Sequence, residues 1–162
     1  MTYVINNKFF EANHLSSVSL QETSTSWLEI DGSKCELGFI GDTANIVYKF
    51  NFYTHNRYKS SSDYDITFIH VKLQKSNDNF SSNIVDIPGC HYNFSGDTAQ
   101  ASNFFYMSCS TFFIVENLDS KYLRLVARSY SSSTRTDLHR TEYYNGTNQT
   151  EYFSPKLVVA EL

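Results

Sequence analysis

Residues 45–54 read NIVYKFNFYT. Ile46, Tyr48, Phe50 and Phe52 occupy one parity, while Val47, Lys49, Asn51 and Tyr53 occupy the other. Side chains alternate between the two faces of a strand, so this pattern predicts a half-buried β-strand with a heavily aromatic inner face. A helix would scatter the same residues around its circumference.

Working outward, the same rhythm recurs between turn clusters. Ser26–Ile30 (SWLEI) runs into Asp31-Gly-Ser, and Cys35–Ile40 into Gly41-Asp-Thr. After a polar stretch at 55–63, Tyr64–Gln74 (YDITFIHVKLQ) predicts a second long strand, with Ile66 and Phe68 set against Ile69, Val71 and Leu73. Residues 75–83 read as a loop. Ile84–Ile87 reads as a short strand stopped by Pro88-Gly89, and 91–103 as turn-rich. Phe104–Met107, Thr111–Glu116, Tyr122–Tyr130, Leu138–Tyr144 and Phe153–Leu162 complete the set, with a tight connection at 117–120. The expectation is an all-β, antiparallel jelly-roll β-sandwich of eight to ten strands over 25–162, preceded by an extended N-terminal arm at 1–24.

Composition agrees. Tyr and Phe contribute 12 and 13 of the 162 residues, against 2 Pro and 6 Gly, which favours pleated, half-buried surfaces. A net charge of −4 lacks the basic excess expected of a nucleic-acid binder. No apolar run is long enough for a membrane-spanning helix. The start, MTYVINNKFFEANHLSS, has no charged segment leading into an apolar core and is not read as a secretory leader. Cys35, Cys90 and Cys109 form no C-x-x-C pair and are expected to be free, buried thiols in a reducing compartment.

The richest stretch for chemistry is 123–146, LRLVARSYSSSTRTDLHRTEYYNG. It contains serines, Asp137 and His139, but no nucleophile elbow, and the serines, Asp137 and His139 read as exposed turn residues. The five histidines are scattered without metal-ligand spacing, and the acidic residues lack a calcium-loop pattern. No phosphate-cradling or dinucleotide motif occurs. Cys90 and His91 are adjacent on extended chain and point apart. The expectation is therefore a non-enzyme without catalytic residues, metal or cofactor.

What remains is surface composition. Arg124, Arg128, Arg135 and Arg140 interleave with Tyr130, Tyr143 and Tyr144. Arginine and tyrosine together suit a binding surface. Arg57, Tyr58, Arg135, Arg140, Tyr143 and Tyr144 are the candidate binding residues, lying in or near segments read as loops. Trp27, the single tryptophan, is expected in the core.

The segments VYKFNFY, YDITFIHVKLQKS, KYLRLVARSYSSS and FSPKLVVAEL carry a wider likeness. Their rhythm resembles the tumour necrosis factor/complement globular-head superfamily of jelly rolls. The serine-run loop followed by LHRTEYYNGT resembles viral jelly-roll domains, such as fibre heads and small capsid proteins. That resemblance implies a homotrimer, with the last strand at the trimer axis. Its implied role is a virion structural protein, a fibre head or capsid decoration assembled in the host cytoplasm. Its partners would be copies of itself, other virion proteins, and a host-cell receptor or glycan. A pentameric penton-type capsid subunit and a soluble carbohydrate-binding module are the alternatives.

Overall fold

The computed structural model describes residues 4–6, 11–14, 21–38, 43–58, 66–97, 105–130, 134–139 and 155–162. Among them there are twelve strands and no helix. They form two six-stranded sheets, antiparallel except for one parallel pair.

Sheet A contains β1 (Val4–Asn6), β4 (Leu28–Glu29), β5 (Cys35–Gly38), β7 (Ile66–Ser76), β8 (Val85–Asp97) and β10 (Tyr122–Ser129). β10 lies at its centre. One flank pairs with β7 along its whole length, and the other takes β5 and then β4 end to end. β8 borders β7, and β1 adds in parallel to β5.

Sheet B contains β2 (Glu11–His14), β3 (Gln21–Glu22), β6 (Ala44–Tyr58), β9 (Phe105–Leu118), β11 (Thr134–Leu138) and β12 (Lys156–Glu161). Its axis is β6, which pairs with β9 from Ala44 to Asn56. The other flank of β6 takes β12 at 46–51 and β11 at 54–58.

The core lies between the sheets, where alternate side chains of both inner faces meet. Ile46, Tyr48, Phe50 and Phe52 of β6 are buried there, as their parity predicts. Cys109, Phe113 and Val115 of β9 and Leu157 and Val159 of β12 flank them. Ile69, Val71 and Leu73 of β7 and Leu123, Leu125 and Ala127 of β10 face them from sheet A. Phe50 and Phe52 stack at 5.7 Å, and Phe94 meets Phe52 edge-on at 6.0 Å. Two buried hydroxyls in the core are satisfied in place. The Tyr48 hydroxyl donates to the Ser33 carbonyl, and the Ser33 hydroxyl donates to the Leu125 carbonyl at 3.1 Å.

Both sides of the sandwich are closed by hydrogen bonds between sheets. On one side, the Tyr92 hydroxyl of β8 donates to the Phe112 carbonyl of β9 at 3.1 Å. On the other, Thr23 bridges the sheets. Its backbone N–H and its hydroxyl both donate to the Thr136 carbonyl of β11, and its hydroxyl pairs with that of Ser129 on β10. Three short strands within 1–24 thus add to both sheets.

Several boundaries differ from expectation. β6 continues through 55–58, read as loop, because β9 and β11 pair with it there. β11 begins at Thr134, inside the serine-run loop expected at 131–136, for the same reason. β8 runs to Asp97 straight through Pro88-Gly89. It is an edge strand, where a missing N–H is tolerated. The register with β7 steps from Lys72↔His91 to Gln74↔Asp86, so Pro88 and Gly89 lie in a bulge, with Gly89 at φ +77.

Candidate functional site

The outer face of sheet A is built by register. Val126 opposes both Glu29 and Lys72, and Arg124 opposes Gln74. Arg128 opposes His70, which opposes Asn93. Trp27 immediately precedes β4 and reaches the same row. Alternation therefore collects positions 124, 126 and 128 of β10, with Tyr130 just past its end, and 70, 72 and 74 of β7 on one surface.

That surface alternates cations with aromatic rings. The Lys72 ammonium lies 4.2 Å from the Trp27 ring centroid, and the Arg128 guanidinium 4.7 Å from it. Arg124 stands 4.2 Å over Phe80, and Lys34 reaches the same ring at 5.6 Å. Each such contact contributes about 0.5–1 kcal/mol at an exposed position. Their side chains shield the centre of the face, and Val126 is only 2% exposed.

The charges are arranged unevenly. Lys72 pairs with Asp86 at 2.6 Å, and Gln74 donates to the other oxygen of that carboxylate at 2.8 Å. These donors hold Asp86 below the usual carboxylate range, against the opposing effect of burial. Arg124 pairs with Glu29 at 2.9 Å and donates to Gln74 at 3.0 Å. Arg128 has no carboxylate partner among the described residues; its contact is the Trp27 ring. Beside it, burial and the Arg128 charge hold His70 below the usual imidazole range. Tyr130, 70% exposed, packs its ring against Phe68 at 6.0 Å and His70 at 5.9 Å.

The outer face of sheet B differs in chemistry. Two rows cross β12, β6 and β9: Ala160–Val47–Ile114 and Val158–Lys49–Phe112. Phe112 and Ile114 are 50% and 55% exposed on edge strand β9, whose far flank has no partner strand among the described residues.

The sequence-derived candidates separate. Arg57 and Arg135 are direct register partners at one end of the β6–β11 pair, beside Tyr58 opposite Thr134. Their side chains lie outside the described residues, as do Arg140, Tyr143 and Tyr144 entirely. The arginines contiguous in sequence are split: Arg124 and Arg128 are on sheet A, and Arg135 is on sheet B. Trp27 is not core but 38% exposed on the cation-rich face, because its neighbour Leu28 takes the inward parity. The signal available in sequence was the polar parity of β10 and β7; the pairing that joins them was not.

Asp137 and His139, expected at the surface, are 0% and 2% exposed. Asp137 opposes His55 in register, and His55 Nδ1 lies 3.8 Å from its carboxylate. Burial pushes His139 down to about 4, opposed by the nearby carboxylate and backbone of Asp31. Neither ring nitrogen of His139 reaches hydrogen-bond geometry with a partner.

All three thiols are free and buried, and burial pushes Cys35 and Cys109 up to about 12. Thiols so protonated are poor nucleophiles. Among the described residues no group of three or more His, Cys, Asp or Glu side chains is arranged to hold a metal. No helix among them is long and apolar enough to cross a membrane.

Fold and surface together define an all-β sandwich with one cation–aromatic outer face and one apolar outer face. No family model matches the sequence, and no curated protein matches it. Among solved structures, 98% of the chain aligns with dimeric latent PorU from Porphyromonas gingivalis at a TM-score of 0.41 and 9% identity. The chain spans 13% of the length of that protein. A likeness of that size carries no argument about fold or activity.

Proposed function

We propose that this chain is a non-enzymatic virion structural protein, a jelly-roll head that assembles as a homotrimer through the outer face of sheet B. The observation that carries the assembly is the exposed pair Phe112 and Ile114 on an edge strand, flanked by Lys49 and Val47. Adjacent exposed apolar side chains on a sheet face favour burial against a partner. A second copy offers the same surface around a symmetry axis. The last strand, β12, supplies one end of both rows through Val158 and Ala160, in keeping with the resemblance that sets it at the trimer axis.

The jelly-roll reading is supported by strand order. The chain moves from β5 in sheet A to β6 in sheet B, back to β7 and β8, then to β9 in sheet B, β10 in sheet A, and β11 and β12 in sheet B, changing sheet at each step except β7–β8 and β11–β12. On this reading the protein assembles in the host cytoplasm with other virion proteins. The cation–aromatic face of sheet A is left free for a host receptor or glycan.

Light scattering after size exclusion tests it. The expected species has three times the 18.7 kDa mass of the chain. Phe112→Ser with Ile114→Ser is expected to yield a folded monomer. A wild-type monomer would sink the assembly reading, and a pentamer would replace it with a penton-type capsid subunit. A double variant that still assembles would remove the sheet B face from the interface.

A further inference from the structure

We propose that the outer face of sheet A binds an acidic sugar, a pyranose carrying a carboxylate, with Arg128 holding the carboxylate and Tyr130 supporting the ring. The inference names a ligand class for the attachment role above but does not rest on self-association.

Three observations carry it. Lys72 and Arg124 are matched by Asp86 and Glu29, whereas Arg128 faces no carboxylate among the described residues. An unmatched guanidinium beside two matched cations favours an anion, and its planar fork suits a carboxylate bidentately. Second, Arg128 is held in place: its guanidinium lies 4.7 Å from the Trp27 ring, and its backbone is fixed between β7 and the end of β4. A charged group already positioned loses less entropy on binding.

Third, a platform stands two residues further on, just past the end of β10. Tyr130 leaves 70% of its surface to solvent, while Phe68 and His70 pack against its ring. A rigid, amphipathic aromatic ring can take the C–H face of a pyranose and still offer a hydroxyl. Asn93 continues the Arg128–His70 row and adds amide donors and acceptors for ring hydroxyls. Charge matching thus selects the carboxylate, and the adjoining ring selects a sugar over a simple anion.

Trp27 is the single tryptophan, so its emission reports on this face alone. Titration of the full chain with sialyllactose is expected to change that emission saturably below about 10 mM, the affinity range of one weak site. Lactose, the same glycan without the acidic residue, is expected to leave it unchanged. Arg128→Gln is expected to weaken binding about tenfold or more, as loss of one charged hydrogen-bonded pair does, and Tyr130→Ala to weaken it less. Saturation transfer from protein to sugar protons measures both variants independently of the emission baseline. Phe112→Ser on the opposite sheet is expected to bind the sugar normally.

An equal response to lactose and sialyllactose, no saturation transfer with wild type, or undiminished binding by Arg128→Gln would each overturn the proposal. An equal response to inorganic sulfate would also overturn it, reducing the site to a simple anion contact. A monomer that binds sialyllactose would remove the assembly reading and leave this one standing.

Discussion

The hydroxyl of Tyr92, on the edge strand of sheet A, donates to the carbonyl of Phe112, on the edge strand of sheet B, at 3.1 Å. The Tyr92 ring also packs on Phe113 at 5.2 Å and on Phe94 at 5.9 Å. One side chain therefore ties two sheets that share no ladder there. Tyr92→Phe keeps the ring contacts and removes the hydrogen bond. Urea unfolding is expected to show a loss of about 0.5–1 kcal/mol, and amide exchange along the outer edge of β9 is expected to accelerate.

His139 makes stability depend on pH. Its folded-state value, pushed down to about 4 by burial, lies below the ordinary imidazole value near 6.5. The unfolded chain therefore binds the proton first as pH falls. Stability is retained above about 6.5 and lost progressively between there and about 4, at up to about 1.4 kcal/mol per pH unit from this residue. His70, also held low, contributes in the same direction. Unfolding free energies measured from pH 7 to 5 are expected to flatten in His139→Gln relative to wild type. An unchanged slope would show that another group carries the dependence.

The hairpin between β7 and β8 is organised by Asp78. Its carboxylate accepts from the backbone N–H groups of Ser82 and Asn83, at 3.1 and 3.0 Å, and from the hydroxyls of Ser76 and Ser82. These donors, the Ser82 hydroxyl first, hold it well below the usual carboxylate range. Its contribution is therefore present at neutral pH and is lost as the carboxylate protonates in strong acid. Asp78→Ala is expected to speed amide exchange at Ser82 and Asn83 and to loosen Phe80. Phe80 holds a left-handed φ of 63 beneath Arg124. Amide exchange followed by mass spectrometry reads this directly.

Two phenylalanines on opposite faces of sheet B give a contrast. Phe52 is fully buried, and Phe112 is half exposed. Phe52→Ala is expected to cost about 3–5 kcal/mol through cavity formation. Phe112→Ala in the isolated monomer is expected to stay within about 0.5 kcal/mol of wild type. Denaturant midpoints with unchanged slopes give both values.

The inner face of β6 was legible because aromatic and aliphatic residues alternate without interruption from Ile46 to Phe52. β7 and β10 were legible for the same reason. β8 was not, because Pro88-Gly89 reads locally as a terminator, while an edge position and a bulge let the strand pass through it. Residues 134–137 were not either, since nothing in SSSTRTD alternates strongly; pairing with β6 makes them a strand.

The sequence by itself determined the class of architecture: alternation with a period of two, bulky aromatics and few breakers specify strands, and strands with one apolar face must stack. It also determined that the three thiols would be buried and unpaired. Tertiary structure alone decided which strands became neighbours, and so which polar residues meet. Arg128 on β10, Tyr130 just past its end, His70 on β7 and Trp27 beside β4 are up to 103 residues apart in sequence. Hydrogen-bonded register joins them on one surface, and register depends on long-range pairing that no local pattern encodes.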